Sequence, residues 1–160
     1  MEKIAAYTLR PVQEQDEALL LELYSSTRAD EMALVPWDAT QKQAFLQMQF
    51  SAQQKHYRAY FPHASHEMIL AQGQAVGRLY VDRRETEIRV LDITLLPQAR
   101  GRGIGTHILL DLMKEADHRN RSCSIYVESF NRSLGLFQRL GFLKTEESGA
   151  SWLMEWRARS

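Results

Sequence analysis

An α+β fold, in which helices flank a mixed β-sheet, is predicted by the order of elements along the chain. The stretches from Glu14 to Thr27 and from Asp38 to Phe61 carry apolar residues at helical spacing. Beyond them the pattern changes to short branched runs around a glycine-containing turn, which reads as a hairpin. A strand, a glycine-rich turn, a helix and another strand then follow between Ile88 and Val127, and this succession makes the sheet mixed.

Each element has its own signal. Ile4 to Leu9 is a short first strand, closed by Pro11. Glu14 to Thr27 is helical, with Ala18, Leu19, Leu21, Leu23 and Tyr24 forming a broad apolar face. Asp38 followed by Gln41 matches a capping box. It opens a long helix bearing Ala44, Phe45, Met48, Ala52 and Tyr60, which Pro62 ends. The glutamines of this helix, from Gln41 to Gln54, read as an exposed polar face or an oligomer contact. Met68 to Ala71 and Val76 to Val81 are two strands joined by Gln72-Gly73-Gln74. Ile88 to Leu95 is a third strand dense in branched residues, and Ile104 to His118 is an amphipathic helix. Its inward face is Ile108, Leu109, Leu112, Met113 and Ala116. Ser124 to Val127 is a strand, Arg132 to Leu140 a short helix stopped by Gly141, and Trp152 to Trp156 a closing strand. No repeat, low-complexity tract or linker interrupts the sequence, so one domain over residues 1–160 is expected.

Composition removes several function classes. Lys plus Arg and Asp plus Glu number 20 each, a formal charge of zero. A nucleic-acid partner would require a basic excess or stripe, and none is present. Cys123, the single cysteine, permits no internal disulfide and reads as a small apolar residue leading into a strand. The N-terminus shows no apolar stretch after a basic start, and no apolar run approaches the ~20 residues of a membrane span. A soluble, cytoplasmic protein is expected, with no membrane partner. The histidines show no metal-ligand spacing, and His63 and His66 are expected in a solvated loop.

The segment Leu95-Leu96-Pro97-Gln98-Ala99-Arg100-Gly101-Arg102-Gly103-Ile104-Gly105 carries the chemistry. The first turn of a helix leaves backbone N–H groups without partners, and the dipole places about half a positive charge there. Glycines remove the Cβ atoms that would hold a pyrophosphate away, and Arg100 and Arg102 add cations at the mouth. A Walker loop is excluded, because Gly105 is followed by Thr106 and His107 with no lysine. A dinucleotide fingerprint fits poorly, because Thr106 or Ile108 stands where the third glycine belongs, although Glu128 could serve as a ribose-binding acid.

Pro97 through Gly105, in the form Pro-x-x-Arg-Gly-x-Gly-Ile-Gly, resembles the coenzyme A loop of the GNAT N-acetyltransferase superfamily. Asn131 through Phe142, an Asn opening a short helix that ends in Leu-Gly-Phe, resembles the family's second motif. The two stand in order, separated by room for one helix and one strand. The resemblance implies a mostly antiparallel central sheet of about six or seven strands with helices on both faces. It implies acetyl-coenzyme A as cosubstrate, no metal, and direct transfer to an amine of a small molecule or a protein, by a monomer or homodimer. Helices at residues 14–61 would shape the acceptor side, residues 66–142 the coenzyme core, and residues 152–157 the closing strand. Backbone groups of Ile93, Thr94 and Leu95 would hold the pantetheine arm and polarise the thioester. Arg100, Gly101, Arg102, Gly103, Ile104, Gly105 and Thr106 would surround the pyrophosphate. Asn131, Ser133 and Phe137 would add contacts from the second motif, with Asn131 also capping its helix.

Deprotonating a lysine-like amine of pKa ~10.4 at pH 7 costs roughly 4.6 kcal/mol, against about 1 kcal/mol for an α-amine near 7.8. A base therefore matters more for the first acceptor type. The leaving thiol, pKa ~8.5, needs an acid less. Many relatives carry a tyrosine acid where this chain has Phe137, so that hydroxyl is missing. Tyr126 and Glu128 share one face of the adjacent strand, and either could replace it. Glu87 stands where some members keep a catalytic glutamate. Asp92 lies mid-strand between Leu91 and Ile93, where an acid is costly unless hydrogen-bonded or turned into a cleft. Both roles stay open for it. On the acceptor side, Arg28, Glu31 and Trp37 form a candidate binding loop. Because no acid occurs between Asp38 and Glu67, a polyamine pocket is not expected. The acceptor is expected to be neutral or to carry its own anionic group. Phe137 also leaves room for an alternative, a non-catalytic module that only binds acyl-coenzyme A.

Overall fold

The computed structural model describes residues 6–158. Seven strands form one sheet in the order β1-β2-β3-β4-β5-β7-β6. They are β1 (Thr8–Pro11), β2 (Ser65–Ala71), β3 (Gln74–Arg83), β4 (Glu87–Leu95), β5 (Ser122–Glu128), β6 (Leu143–Ser148) and β7 (Ser151–Trp156). The helices are α1 (Glu17–Thr27), α2 (Ala29–Ala33), α3 (Ala39–Tyr60), α4 (Ile104–His118) and α5 (Leu134–Arg139). β4 and β5 run parallel, joined by α4, and the other neighbours are antiparallel. The mixed, mostly antiparallel sheet with helices on both faces is the predicted fold class.

Two cores sandwich the sheet. On one face α4 buries Ile104, Ile108, Leu109, Leu112, Met113 and Ala116, all predicted inward except Ile104. They pack on Ile69, Leu79, Val81, Ile88, Val90, Ile125 and Val127, together with Phe137 and Phe142. On the other face α1 and α3 contribute Leu20, Leu23, Tyr24 and Phe50, which close over Met68 and Leu96. Each fully buried aliphatic side chain stabilises the fold by about 1.5–3 kcal/mol.

Several expectations need correction. Of the predicted first strand, Ile4 and Ala5 lie outside the described residues, and the strand runs from Thr8 with Pro11 as its last residue. In α1 the buried residues are Leu20, Leu23 and Tyr24, so Leu20 joins the predicted face, whereas Ala18 is exposed. In α3 the capping box between Asp38 and Gln41 is present in both directions. Its docked face, however, is Leu46, Phe50, Gln54 and Tyr57, and Ala44, Met48, Ala52 and Tyr60 are exposed. The reason is hydrogen bonding. Gln53 accepts from Arg78 at 2.6 Å and Gln54 donates to Glu17 at 3.1 Å, so two polar residues sit in the inward stripe. The hairpin turn is the pair Gln72-Gly73, both with positive φ, and Gln74 already belongs to β3. His66 is in β2, stacked on Tyr80 with centroids 4.2 Å apart, and not in a solvated loop. Residues 29–33 are helical, not loop.

Candidate functional site

The parallel pair at the centre of the sheet comes apart. β4 and β5 pair from Glu87↔Ser122 to Val90↔Ile125, yet β4 continues to Leu95 and β5 to Glu128. A V-shaped gap opens between their C-terminal ends. The divergence begins at a bulge: Val81 of β3 faces Val90 and Tyr80 faces Asp92, leaving Leu91 as the extra residue. The Tyr57 hydroxyl donates to the Leu91 carbonyl at 3.2 Å and pins the bulge from α3. Past it, the Leu96 N–H bonds the Val76 carbonyl at 2.8 Å. Backbone groups alternate along a strand, so Thr94 also faces β3, while Ile93 and Leu95 turn theirs to the gap. β3 and β4 approach closely here: a Cβ on Gly77 would lie 2.4 Å from the Thr94 carbonyl oxygen.

The gap leads to the glycine turn. Gly101 and Gly103 have φ of +75° and +86°, which L side chains rarely adopt. α4 begins directly after Gly103 with no side-chain cap, so its first N–H groups remain open. Nothing lies within 4 Å of a Cβ placed on Gly101, and Arg102 is exposed beside it. An open, cationic helix start of this shape fits a pyrophosphate. Arg100 bonds the Leu95 carbonyl at 3.0 Å and Ser26 at 3.2 Å, tying the turn to the end of α1.

On the α1–α3 side the charged candidates are spread along the gap. Glu87 is at the paired end, its carboxylate held by Arg84 at 2.6 Å, Arg89 at 3.2 Å and Ser124 at 2.9 Å. Burial opposes its charge, but the Ser124 hydrogen bond and the Arg89 and Arg84 guanidinia outweigh it and hold the pKa below the usual range. Asp92 has both oxygens engaged, Oδ2 by Arg78 Nε at 2.7 Å and Oδ1 by Thr94 at 2.6 Å. Tyr126 stands just past the last β4 pair, 47% exposed, with the Arg89 guanidinium 4.9 Å from its ring centroid. Glu128 follows on the same face, and Arg28 at the end of α1 reaches it at 3.5 Å. Arg28 also pairs with Glu31 at 3.0 Å, and Trp37 packs against Phe45 at 5.2 Å.

The second motif is placed differently from expectation. α5 starts at Leu134 with Ser133 at its cap position, while Asn131 lies two residues earlier. The Asn131 side chain accepts from the Ser133 N–H at 2.8 Å, an Asx turn rather than a helix cap. Phe137 is only 2% exposed and packs against Phe142, so it belongs to the core beneath α4. Cys123 is buried and its thiol pKa is pushed up to about 12 by desolvation, in keeping with an apolar role. Among the described residues no three His, Cys, Asp or Glu are grouped to hold a metal ion, and no helix is long and apolar enough to cross a membrane. The sequence reading missed Arg78, Arg89 and Tyr57. An arginine inside the run Val76–Val81, facing a strand that holds an equally unexpected Asp92, was the available signal for the first.

The family described as acetyltransferase (GNAT) domain matches residues 26–151, and the chain belongs to it. No curated relative matches the chain. Solved structures similar to it include the PaiA N-acetyltransferase of Thermoplasma acidophilum in complex with coenzyme A, with TM-score 0.70 and 16% identity over 96% of this chain and 99% of that one. An acetyltransferase of Thermus thermophilus superposes with TM-score 0.66 and 16% identity, covering 97% and 99% of the two chains. Arabidopsis thaliana Naa50, in complex with a bisubstrate analogue CoA-Ac-MVNAL, gives 0.63 and 13%, covering 96% and 100%. At these identities the likeness is one of fold.

Proposed function

We propose that this protein transfers the acetyl group of acetyl-coenzyme A directly to an amine nitrogen. The gap between β4 and β5, running from the glycine turn to Tyr126, carries this reading. Acetyl-coenzyme A supplies an activated thioester. The neutral amine adds to its carbonyl carbon, the C–S bond breaks, sulfur leaves with the electron pair and takes up a proton, and nitrogen gives one up. Ile93 and Leu95 N–H groups face the place where negative charge develops on the carbonyl oxygen. The glycine turn from Arg100 to Thr106 holds the pyrophosphate, with Asn131 and Ser133 at the rim. Phe137 supports the site from within the core.

Among the acid–base candidates the geometry favours Tyr126, whose hydroxyl makes no hydrogen bond among the described residues and stands beside the gap. Protonating the departing sulfur is the role that suits it. Glu87 and Asp92 have both oxygens occupied, which suits them to fixing Arg89 and the bulge. Glu128 is the carboxylate best placed to meet an incoming amine. A neutral or anion-bearing acceptor, small molecule or protein terminus, remains the expectation, in a cytoplasmic monomer or homodimer.

Thermal melting with acetyl-coenzyme A, coenzyme A and NAD tests the coenzyme, and thiol release with an amine panel tests the transfer. A coenzyme A species at a hundredfold excess over its Kd should stabilise the fold by about 2.7 kcal/mol. A shift with NAD alone would overturn the assignment. Binding without thiol release would favour the non-catalytic module.

A further inference from the structure

Tyr126 is the first residue of β5 beyond its seam with β4. The last pair across that seam is Val90 with Ile125, and on its other side Tyr126 lies opposite Leu153 of β7. A side chain on a sheet is ordinarily held by cross-strand neighbours. Tyr126 has a directly opposed neighbour on one flank only, and it is 47% exposed. Left to itself, such a ring would share its time among rotamers, and its hydroxyl would meet the departing sulfur in only one of them.

Arg89 fills the vacant flank. It is paired with Ser124, two residues before Tyr126 on the same face of the sheet, so its side chain reaches the tyrosine diagonally. The guanidinium carbon lies over the ring, 4.9 Å from its centroid, within the range of cation–π attraction. The guanidinium is itself held in place. Its Nε donates to Ser124 Oγ at 2.8 Å and its Nη2 to Glu87 Oε1 at 3.2 Å. Ser124 Oγ in turn donates to Glu87 Oε2 at 2.9 Å, and Arg84 Nη1 donates to Glu87 Oε1 at 2.6 Å. Ser124 is wholly buried, and the Arg89 side chain is 12% exposed. Arg84 also bonds Asp82 at 2.9 Å, so two guanidinia and two carboxylates balance within the cluster. Glu87 is already partnered by Arg84 and Ser124, and what Arg89 adds beyond them is the contact with the ring.

We propose that Arg89 is a positioning residue for the transfer: fixed by Glu87 and Ser124, it holds the Tyr126 ring so that the hydroxyl stays at the gap. This deepens the acetyl-transfer reading, on which it rests, and makes Glu87 a clamp on Arg89 and not the base. The Tyr126 proton goes to sulfur as the C–S bond breaks, and the proton that nitrogen gives up restores the hydroxyl through solvent.

The test follows thiol release in a single turnover by the full chain, so that product release does not mask the chemical step. Acetyl-coenzyme A is paired with primary amines from benzylamine to a pentapeptide with a free N-terminus, and the fastest is carried forward. Tyr126→Phe should lower the saturating rate by about 100-fold. Arg89→Met should lower it by about tenfold and leave the half-saturating concentration of either substrate within about twofold of wild type. Because Arg89 acts through the hydroxyl, the double variant should be no slower than Tyr126→Phe alone. Arg89→Met strands no charge, since Glu87 keeps Arg84 and Ser124, and the variants should retain the wild-type melting shift with acetyl-coenzyme A. Ser124→Ala loosens Arg89 without removing a charge, and should slow release by about threefold only while the Tyr126 hydroxyl is present. With tyrosine rings labelled with 13C, the Tyr126 signal, identified by its loss in Tyr126→Phe, should move in Arg89→Met while the other tyrosine signals stay.

Losses that multiply in the double variant would overturn the inference, because Arg89 would then act independently of Tyr126. An undiminished rate in Arg89→Met or Tyr126→Phe, or an unmoved Tyr126 signal, would overturn it as well. Each of these outcomes leaves the transfer reading intact, whereas coenzyme binding without thiol release from any amine would remove both.

Discussion

His66 stacks on Tyr80 in β2, and desolvation, aided by nearby Arg78, lowers its pKa to about 4. In the unfolded chain the imidazole titrates near ~6.5. The folded protein thus binds fewer protons than the unfolded chain between these values, and stability rises with pH across that interval. Its contribution is full above ~6.5, declines as pH falls and is spent near 4, a change of at most about 3 kcal/mol. His66→Phe keeps a ring against Tyr80 and has nothing to titrate. The melting temperature of that variant should fall less between pH 6.5 and 4 than that of the wild type, and equal slopes would refute the role given to His66. Such a site is hard to read from sequence, because His66 follows Pro62 and His63 and looks like loop until its register against Tyr80 is known. Phe137 is the opposite case. The missing hydroxyl was legible at once, and the structure adds that its ring is sealed in the core.

Elements were legible where apolar periodicity alone places them. α4 could be read almost to its ends because its inward stripe is wholly apolar. α3 could be delimited by its capping box and Pro62 but was turned the wrong way, because Gln53 and Gln54 point inward to bind Arg78 and Glu17. β6 is exposed along its whole length as an edge strand, so it lacks the alternation that identifies a strand. The Arg78 network shows what this polar packing does. Arg78 is 1% exposed and meets Asp92 with two nitrogens, at 2.7 and 2.5 Å. Removing one partner of such a pair strands a buried charge and costs about 3–5 kcal/mol, whereas replacing both by apolar residues is close to neutral. Arg78→Met and Asp92→Leu should each lower the urea midpoint strongly, and the double variant should recover more than half of the larger loss. Simple addition of the two losses would show that the pair is not coupled.

At the scale of the whole molecule, the sheet is two halves joined by a short seam. β1 to β4 form one antiparallel block and β5, β7 and β6 another, and four residue pairs from Glu87 to Val90 connect them. The resemblance in the glycine turn located the mouth of the opening, but the opening itself depends on where two strands stop pairing, which no local sequence pattern reports. Its backbone donors are alternate residues of one strand, so a ligand in it has a residue-by-residue signature. Leu96 already bonds Val76, and Thr94 faces β3, so their amides should be protected from hydrogen exchange in the free protein. Ile93 and Leu95 face the gap and should exchange quickly. Acetyl-coenzyme A seated as a third strand-like element should slow Ile93 and Leu95 by tenfold or more and leave Thr94 and Leu96 nearly unchanged. Amide exchange followed by NMR with and without the coenzyme resolves these four residues individually. Uniform slowing of all four would mean that the coenzyme stabilises the fold from elsewhere, and unchanged rates at Ile93 and Leu95 would mean that the gap is not where it binds.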